Sequence, residues 1–281
     1  MKYGISSFVW VSPFSDATLD ALKKAADMGF DLFEICVEDP ATIHPESILP
    51  ALRDAGIAPL VCGAFGPERD ISSEDAAIRR QGADYIKCCV DIAAALGSDM
   101  VSGPMYSATG KARLLSADDK KRQWDWAVEN MRTCADHAAE KGVRLAVETL
   151  NRFETDFLNT VDQGLDFLGR IDRDNVGFLL DTFHMNIEET DIPAALRKAG
   201  DRIFNFHACS NNRGTPGEDH IDWSGIVDAF RDIGYNRPIV IESFTTDITE
   251  IAKAVSLWRP LAKSQDDLAR NGLAFLRKTF G

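Results

Sequence analysis

Residues 176–181, VGFLLD, form a short apolar run that ends abruptly in the carboxylate of Asp181. A continuous apolar run of this length is typical of a strand that is buried on both faces of a parallel sheet. Three other runs have the same form: RLAVE ends in Glu148, RIFNFH ends in His207 and PIVIE ends in Glu242. All four runs therefore predict buried strands that finish in a side chain able to bind a metal ion.

These terminal side chains follow one another at intervals of roughly 30 residues, which is the length of one strand with its crossover helix and loops. Successive units of this kind bring the carboxyl ends of their strands to the same end of the sheet. An acidic residue after a strand often only caps the next helix, so one such position would mean little. The regular series predicts a metal centre formed by Glu148, Asp181, His207 and Glu242.

Glycines divide the rest of the chain into strands and helices. Helical patterns end at a glycine and strand-like residues follow, which is typical of a left-handed residue that closes a helix. The glycines are Gly29, Gly56, Gly97, Gly142, Gly200 and Gly234. The predicted strands are residues 3–8, 32–37, 58–63, 100–102, 144–148, 176–181, 203–207 and 238–242.

Two of the intervening helices have clear start signals. The apolar stripe between Ser73 and Gly97 predicts a long helix capped by Ser72 or Ser73. Thr160 and Gln163 form a capping box in front of the next apolar stripe. A longer connection, residues 245–265, is predicted before a final helix from Asp266 to Phe280.

Eight alternating strands and helices with right-handed crossovers close most simply into a (β/α)8 barrel. An open, doubly wound sheet is the competing architecture, but its first turn usually carries a glycine-rich phosphate loop. The first turn here, ISSFVWVSPF at residues 5–14, has no glycine. We therefore expect a single α/β domain over residues 1–281, a TIM barrel with a C-terminal helix, and no nucleotide cofactor.

Composition limits the partners of this chain. Its 281 residues contain no apolar run near the roughly 20 residues that cross a bilayer, and the N-terminus lacks a signal-peptide pattern. The net charge of −13 disfavours binding to nucleic acid. Six cysteines without a CxxC pair do not resemble a disulfide framework. We expect a cytoplasmic protein with reduced thiols, no membrane partner and a small neutral or cationic substrate.

The predicted ligands define the chemistry of the site. Three carboxylates and one imidazole favour Mn²⁺, Mg²⁺ or Co²⁺ and leave room on the ion for an α-hydroxy ketone, whose carbonyl the ion would polarise. Removal of a proton and its return on the opposite face need a base and an acid. Glu148 and Glu242, from the fifth and eighth predicted strands, would flank such a substrate. The alternative is that both glutamates act only as ligands, which is the role expected of Asp181 and His207.

Further polar residues lie just beyond these strand ends, where sugar hydroxyls would need donors and acceptors. They are Asn151, Arg152 and Glu154 after the fifth strand, His184 after the sixth and Arg213 after the seventh. A loop histidine or arginine is more often solvated or paired with a nearby acid. Their position beside the predicted metal centre is what favours a role in substrate binding.

Four motifs resemble those of the ketose 3-epimerases, a group within the xylose isomerase-like barrel superfamily that includes D-tagatose and D-allulose (D-psicose) 3-epimerases. The motifs are VETLNRFE at 147–154, LDTFHMNIEE at 180–189, HACSNNR at 207–213 and IES at 241–243. The resemblance covers nearly the whole chain, and LDTFHMNIEE is its most specific part. It implies one divalent metal per subunit, Mn²⁺ first with Co²⁺ or Mg²⁺ as alternatives. The implied ligands are Glu148, Asp181, His207 and Glu242, with Glu148 and Glu242 as the proton-transfer pair.

The same resemblance implies further site residues and a homodimer or homotetramer. Glu154, His184 and Arg213 would bind the ketose oxygens around C1 to C3, and Phe8, Cys62 and Phe244 would line the pocket. The chain departs from the group in two loops, because residues 105–112, MYSATGKA, contain no tryptophan and Ser210 stands where many relatives have glutamate. Trp10 and Phe14 are candidates for an aromatic wall built differently.

We therefore expect C3 epimerisation of a free ketose of the D-tagatose, D-allulose/D-fructose or L-ribulose type through a cis-enediolate. Two alternatives use the same site: an aldose–ketose or hydroxypyruvate-type isomerase, which moves a proton between C1 and C2, and an inosose dehydratase, which expels a hydroxyl group. A metal-dependent nuclease is disfavoured by the acidic chain and its few histidines. A sugar-binding protein without catalysis is disfavoured by the two acid–base carboxylates.

Overall fold

The computed structural model describes residues 1–281 and contains a closed barrel of eight parallel strands in sequence order. Gly4 of the first strand lies opposite Val240 of the last, which closes the ring. The strands are β1 Tyr3–Ser6, β2 Leu32–Val37, β3 Ala58–Gly63, β4 Met100–Gly103, β5 Arg144–Glu148, β6 Val176–Asp181, β7 Ile203–Ala208 and β8 Ile239–Ile241. The predicted (β/α)8 barrel is confirmed, and the open doubly wound sheet is excluded.

Ten helices connect the strands and complete the chain. They are α1 Asp20–Met28, α2 Pro45–Ala55, α3 Ala76–Leu96, α4 Ala117–Glu140, α5 Val161–Ile171, α6 Thr182–Glu188, α7 Ile192–Ala199, α8 Trp223–Asp232, α9 Thr249–Ala254 and α10 Gln265–Phe280. All six glycines predicted to follow helices have positive φ. No helix has both the length and the apolar character needed to cross a membrane. All six cysteines are free thiols.

Helix and strand ends show where local chemistry differs from the prediction. β1 stops at Ser6, because residues Ser7–Val9 turn into a 3-10 helix whose Phe8 N–H is capped by the Ser6 hydroxyl. The predicted serine cap of α3 is wrong: the Asp75 carboxylate caps this helix. Ser72 instead donates its hydroxyl to the carboxylate of Asp70.

Two other predictions about helices can be compared with the structure. The capping box of Thr160 and Gln163 at the start of α5 is confirmed. The connection at residues 245–265 is more than a loop, because it contains the short helix α9. The final helix α10 begins one residue before its predicted start.

Alternate strand residues point into the barrel and fill it in layers. The bottom layer is an apolar cluster of Leu32, Leu60, Met100, Ala146, Leu179, Phe204 and Val240. Above it lies a buried polar layer, in which the amide of Asn205 donates to Glu34 Oε1 at 3.0 Å and to Ser102 Oγ at 3.2 Å. The predicted metal ligands occupy the top of the barrel, at the carboxyl ends of the strands.

Candidate metal centre and active site

Strand register brings the predicted ligands together at the carboxyl rim of the barrel. Glu148 and Asp181 end β5 and β6, His207 is the penultimate residue of β7, and Glu242 directly follows β8. Asp181 lies opposite His207 in the ladder of β6 and β7. One ligand atom from each of the four buried side chains lies within 4.8 Å of the other three. The structure thus assembles the group of side chains that the spacing predicted.

This group of donors fits a divalent cation. Two of its buried atoms, Glu148 Oε1 and His207 Nδ1, have no hydrogen-bond partner in the protein. A buried polar atom without a partner is costly, and a cation among these side chains would satisfy both atoms. Three carboxylates and one imidazole are a ligand set suited to Mn²⁺, Co²⁺ or Mg²⁺.

The two glutamates have opposite electrostatic environments. Burial raises the pKa of Glu148 well above its ordinary value, and the charge of Glu242 raises it further. Burial would also raise the pKa of Glu242, but His207 and Arg213 outweigh this effect and lower it to about 2. Before a cation binds, Glu148 therefore favours its protonated form and Glu242 its ionised form, as in pairs that divide acid and base roles.

The other acidic ligand, Asp181, has two roles. Its Oδ1 accepts a hydrogen bond from the Phe183 N–H at 2.6 Å and so caps helix α6. Its Oδ2 lies 2.9 Å from Arg213 Nη1. Burial raises the pKa of Asp181 to about 6, although the Arg213 charge opposes this shift. Asp181 thus belongs to the predicted metal-ligand cluster and also positions the start of the helix that carries His184.

Glu34 of β2 supports the ligand His207 from behind and was not predicted from the sequence. Its carboxylate oxygens lie 3.2 and 3.0 Å from His207 Nε2. With Nε2 donating to Glu34, the other ring nitrogen, Nδ1, faces Glu242 Oε2 at 3.4 Å. A carboxylate behind a ligating histidine fixes its tautomer and ring orientation. The sequence feature that could have indicated this role is the glutamate within the otherwise apolar strand LFEICV.

The charge state of His207 follows from this arrangement. Burial would lower its pKa, but the carboxylates of Glu34 and Glu242 outweigh burial and raise that pKa well above the ordinary value. A metal ion binds the unprotonated Nδ1, so cation binding must release a proton from this ring.

Asn151 links two of the predicted substrate-binding residues. Its backbone N–H donates to His184 Nδ1 at 3.0 Å, and its side-chain amide donates to Glu154 Oε1 at 2.8 Å. Burial lowers the pKa of His184 well below its ordinary value, with the Arg213 charge acting in the same direction. The neutral ring therefore carries its proton on Nε2, which lies 3.5 Å from Glu148 Oε1.

Arg213, the third predicted substrate-binding residue, is buried and held in an unusual conformation. Its φ is +69°, a left-handed conformation that non-glycine residues seldom adopt. The guanidinium packs over the ring of Phe183 at 4.2 Å and that of Phe244 at 5.1 Å. Its Nη1 contacts Glu242 Oε2 at 3.2 Å as well as Asp181. This packing fixes the direction of its donors.

The donors of Arg213 and His184 are not satisfied by each other. Arg213 Nη2 lies 2.9 Å from His184 Nε2, and both nitrogens carry hydrogen in the assignment above. Arg213 Nε also has no partner in the protein. These N–H groups need an acceptor, which the oxygens of a bound sugar would supply.

A cavity of about 610 Å³ opens above the predicted ligands. Asp181 and His207 lie beneath it and are fully buried. Its lining contains Glu148, Glu154, His184, Arg213 and Glu242, together with the expected Phe8, Cys62 and Phe244, whereas Asn151 and Arg152 do not line it. The predicted catalytic and metal-binding residues therefore surround one cavity, as their assigned roles require.

The walls of the cavity differ from the prediction in two places. Neither Trp10 nor Phe14 lines it, because Trp10 donates to Asp266 Oδ1 at 3.0 Å and Phe14 packs against Phe33. The aromatic wall expected from these two residues is wrong. Phe65, after β3, lines the cavity instead. Residues of α9 and its end, Ile251, Ala254 and Val255, also reach it, so the connection after β8 covers part of the site.

Comparison with known proteins agrees with this architecture over the whole chain. The family model for xylose isomerase-like TIM barrels matches residues 22–279. An L-ribulose 3-epimerase from Mesorhizobium japonicum is 33% identical over 98% of this chain and 93% of its own length. A D-psicose 3-epimerase from Agrobacterium fabrum is 32% identical over 100% of both chains. The crystal structure of D-allulose 3-epimerase from Methylomonas sp. in complex with D-allulose has a TM-score of 0.94 and 32% identity, covering 99% of this chain and 97% of that one.

Proposed function

The chain belongs to the ketose 3-epimerases of the xylose isomerase-like TIM barrel family, and we propose that it epimerises a free ketose at C3. The observation that carries this proposal is the pair Glu148 and Glu242, which belong to one buried cluster at the rim of the barrel and both line the cavity. Epimerisation requires one group to remove the C3 proton and a second to return a proton to the opposite face. The L-ribulose and D-psicose of the relatives indicate the substrate class, free ketopentoses and ketohexoses.

We assign the site residues accordingly. Glu148, Asp181, His207 and Glu242 would hold one divalent cation, Mn²⁺ first and Co²⁺ or Mg²⁺ as alternatives. When bound, this ion would polarise the ketone at C2 and make the C3 hydrogen more acidic. Glu154, His184 and Arg213 would bind the oxygens around C1 to C3, which orients the C3–H bond between the two glutamates.

The two glutamates would divide the proton transfers between them. The ionised glutamate removes the C3 proton, and the electron pair of the C–H bond moves into a planar cis-enediolate. The protonated glutamate then donates to C3 from the other side, which inverts the configuration. For the opposite epimer the two glutamates exchange roles. His184 and Arg213 line the cavity, and their N–H donors would stabilise the negative oxygen of this intermediate.

The proposal is tested by incubating metal-stripped and Mn²⁺-supplemented protein with D-fructose, D-tagatose, D-allulose and L-ribulose in deuterated water. We expect C3 epimers that carry deuterium at C3, formed only when Mn²⁺ is present. Aldose products labelled at C2 would instead identify an isomerase. Loss of water from an inosose, with no change in the ketoses, would identify the lyase.

A further inference from the structure

Strands β2 and β3 place two thiols beside each other in the barrel interior. Cys36 and Cys62 are direct partners in the register of these strands. One ligand atom from each of Glu34, Cys36 and Cys62 lies within 4.8 Å of the other two, and all three residues are buried. None of them belongs to the proposed Mn²⁺ centre. We propose that these three side chains form a second metal site, which takes a thiophilic divalent cation such as Zn²⁺ or Cd²⁺.

The carboxylate of Glu34 has one oxygen available for this purpose. Its Oε1 accepts hydrogen bonds from Asn205 Nδ2 at 3.0 Å and from His207 Nε2 at 3.2 Å. Its Oε2 is buried and makes no hydrogen bond. This oxygen lies 3.0 Å from the same His207 nitrogen, but the single N–H of that nitrogen is directed to Oε1. A buried carboxylate oxygen without a donor is costly, and a cation would satisfy it.

The donor types select the cation. Zn²⁺ binds thiolates at about 2.3 Å in a tetrahedron, which separates neighbouring ligand atoms by roughly 3.5–4 Å. The ligand atoms of the present side chains lie within 4.8 Å of one another, so binding would draw them together by about 1 Å. Each metal–sulfur bond replaces an S–H bond, and the two protons leave to solvent. Mn²⁺ prefers oxygen and nitrogen donors, so the two sites take different metals.

The Cys62 thiol is protonated before the cation binds. The adjacent Cys36 thiol and burial together raise the pKa of Cys62 well above its ordinary value. Cys36 is held by a contact of 3.4 Å between its sulfur and the hydroxyl of Ser6. Three protein donors leave the fourth position of a tetrahedral ion to water.

This second site communicates with the catalytic cavity. Cys62 lines the cavity, which gives the cation a route of entry, and Glu34 supports the ligand His207. A bound Zn²⁺ or Cd²⁺ would draw the Glu34 carboxylate away from His207 and alter the cavity wall at Cys62. We expect it to inhibit chemistry in the cavity, and excess Mn²⁺ not to reverse this inhibition.

Cd²⁺ provides the test, because cadmium–thiolate bonds have their own ultraviolet charge-transfer absorption. The full chain is saturated with Mn²⁺ and then titrated with Cd²⁺. We expect one equivalent to bind with thiolate absorption. Cys36→Ser and Cys62→Ser should each lose this absorption, whereas Cys88→Ser, which changes a half-buried thiol on α3, should keep it.

Three results would overturn the second site: no thiolate absorption in the native chain, absorption that survives in Cys36→Ser, or absorption that disappears in Cys88→Ser. Circular dichroism establishes that each variant is folded, and Cys36→Ala provides a second substitution if the serine variant does not fold. The readout is independent of sugar turnover, so failure of the proposed epimerase would leave this result unaffected.

Discussion

Among single residues, Arg213 connects the proposed metal centre to the predicted sugar-binding groups. It contacts Asp181 and Glu242 through Nη1 and approaches His184 through Nη2, which requires a planar, forked cation. We expect Arg213→Lys to lower kcat/KM by about 100-fold. This is the typical effect of removing one positioned hydrogen-bond donor that stabilises a developing oxyanion. Steady-state kinetics on the preferred ketose measures this effect.

The matched control for Arg213 is Arg152→Lys. Arg152 lies in the NRFE motif but is largely exposed, and it pairs with Glu188 at 2.9 Å. Arg152 does not line the cavity, so its kcat/KM should change less than twofold. Equal losses in the two variants would contradict the assigned role of Arg213.

Glu34 gives a second prediction for a single residue. Removing the carboxylate behind a ligating histidine typically lowers metal affinity by about 10–100-fold. We expect this loss for Mn²⁺ in Glu34→Gln, measured by titration calorimetry on metal-stripped protein. Ser102→Ala is the control, because Ser102 bonds the same Asn205 amide but not His207. Unchanged Mn²⁺ affinity in Glu34→Gln would show that Glu34 does not position the ligand.

The secondary-structure elements show that a cap and a ligand can be the same residue. An acid after a strand was predicted to be either a helix cap or a metal ligand, and Asp181 caps α6 while it lies in the metal-ligand cluster. The cap fixes the first turn of α6 and therefore the position of His184. Local helix chemistry and the geometry of the site are thus coupled through one carboxylate.

The capping box of α5 gives a prediction for an element remote from the site. Thr160 accepts the Gln163 N–H, and the Gln163 side chain accepts the Thr160 N–H. We expect Thr160→Ala to lower the free energy of unfolding by about 1 kcal/mol, measured by urea denaturation. Thr133→Ala, within helix α4, is the control and should be neutral or slightly stabilising. An equal loss in both variants would contradict the capping role.

The strands and the metal-ligand cluster could be predicted because each depends on short stretches of sequence. A buried strand needs an apolar run, a helix end favours glycine, and parallel strands bring their last residues to one rim. Glu34 escaped prediction because it lies in the middle of a strand, and its contact with His207 depends on the barrel closing. Trp10 and Phe14 were placed wrongly because loop direction depends on partners far along the chain, such as Asp266.

For the whole molecule, the barrel concentrates acidic side chains at one end, and a cation would compensate them. In the folded state the pKa of Asp181 is about 6, which is above its ordinary value. Protonation of this carboxylate therefore stabilises the folded state at low pH, and this stabilisation is lost as the pH rises through about 6. Glu148 shifts in the same direction. Glu242, with a pKa of about 2, stays ionised through this range.

This balance predicts how Mn²⁺ stabilises the protein. The ion binds ionised carboxylates and stabilises the folded state by mass action. The rise in Tm on adding Mn²⁺ should therefore be larger at about pH 7.5 than at about pH 5. Scanning calorimetry with and without the ion measures this rise, and KCl at the same ionic strength replaces the Mn²⁺ salt in the control. An equal rise at both pH values would contradict binding through these carboxylates.

Assembly and cellular location stay predictions. Sedimentation of the purified protein decides between a monomer and the expected homodimer or homotetramer.

The central claim is that Glu148 and Glu242 each serve one face of the sugar at C3. Its most direct test follows solvent deuterium at C3 separately from epimer formation in Mn²⁺-loaded Glu148→Gln and Glu242→Gln, with metal content measured for both. Each variant should exchange the C3 hydrogen of only one epimer, and the two variants should act on opposite epimers. Neither variant should convert one epimer into the other. Continued epimerisation by either metal-loaded variant, or exchange of the same epimer in both, would contradict the two-glutamate mechanism.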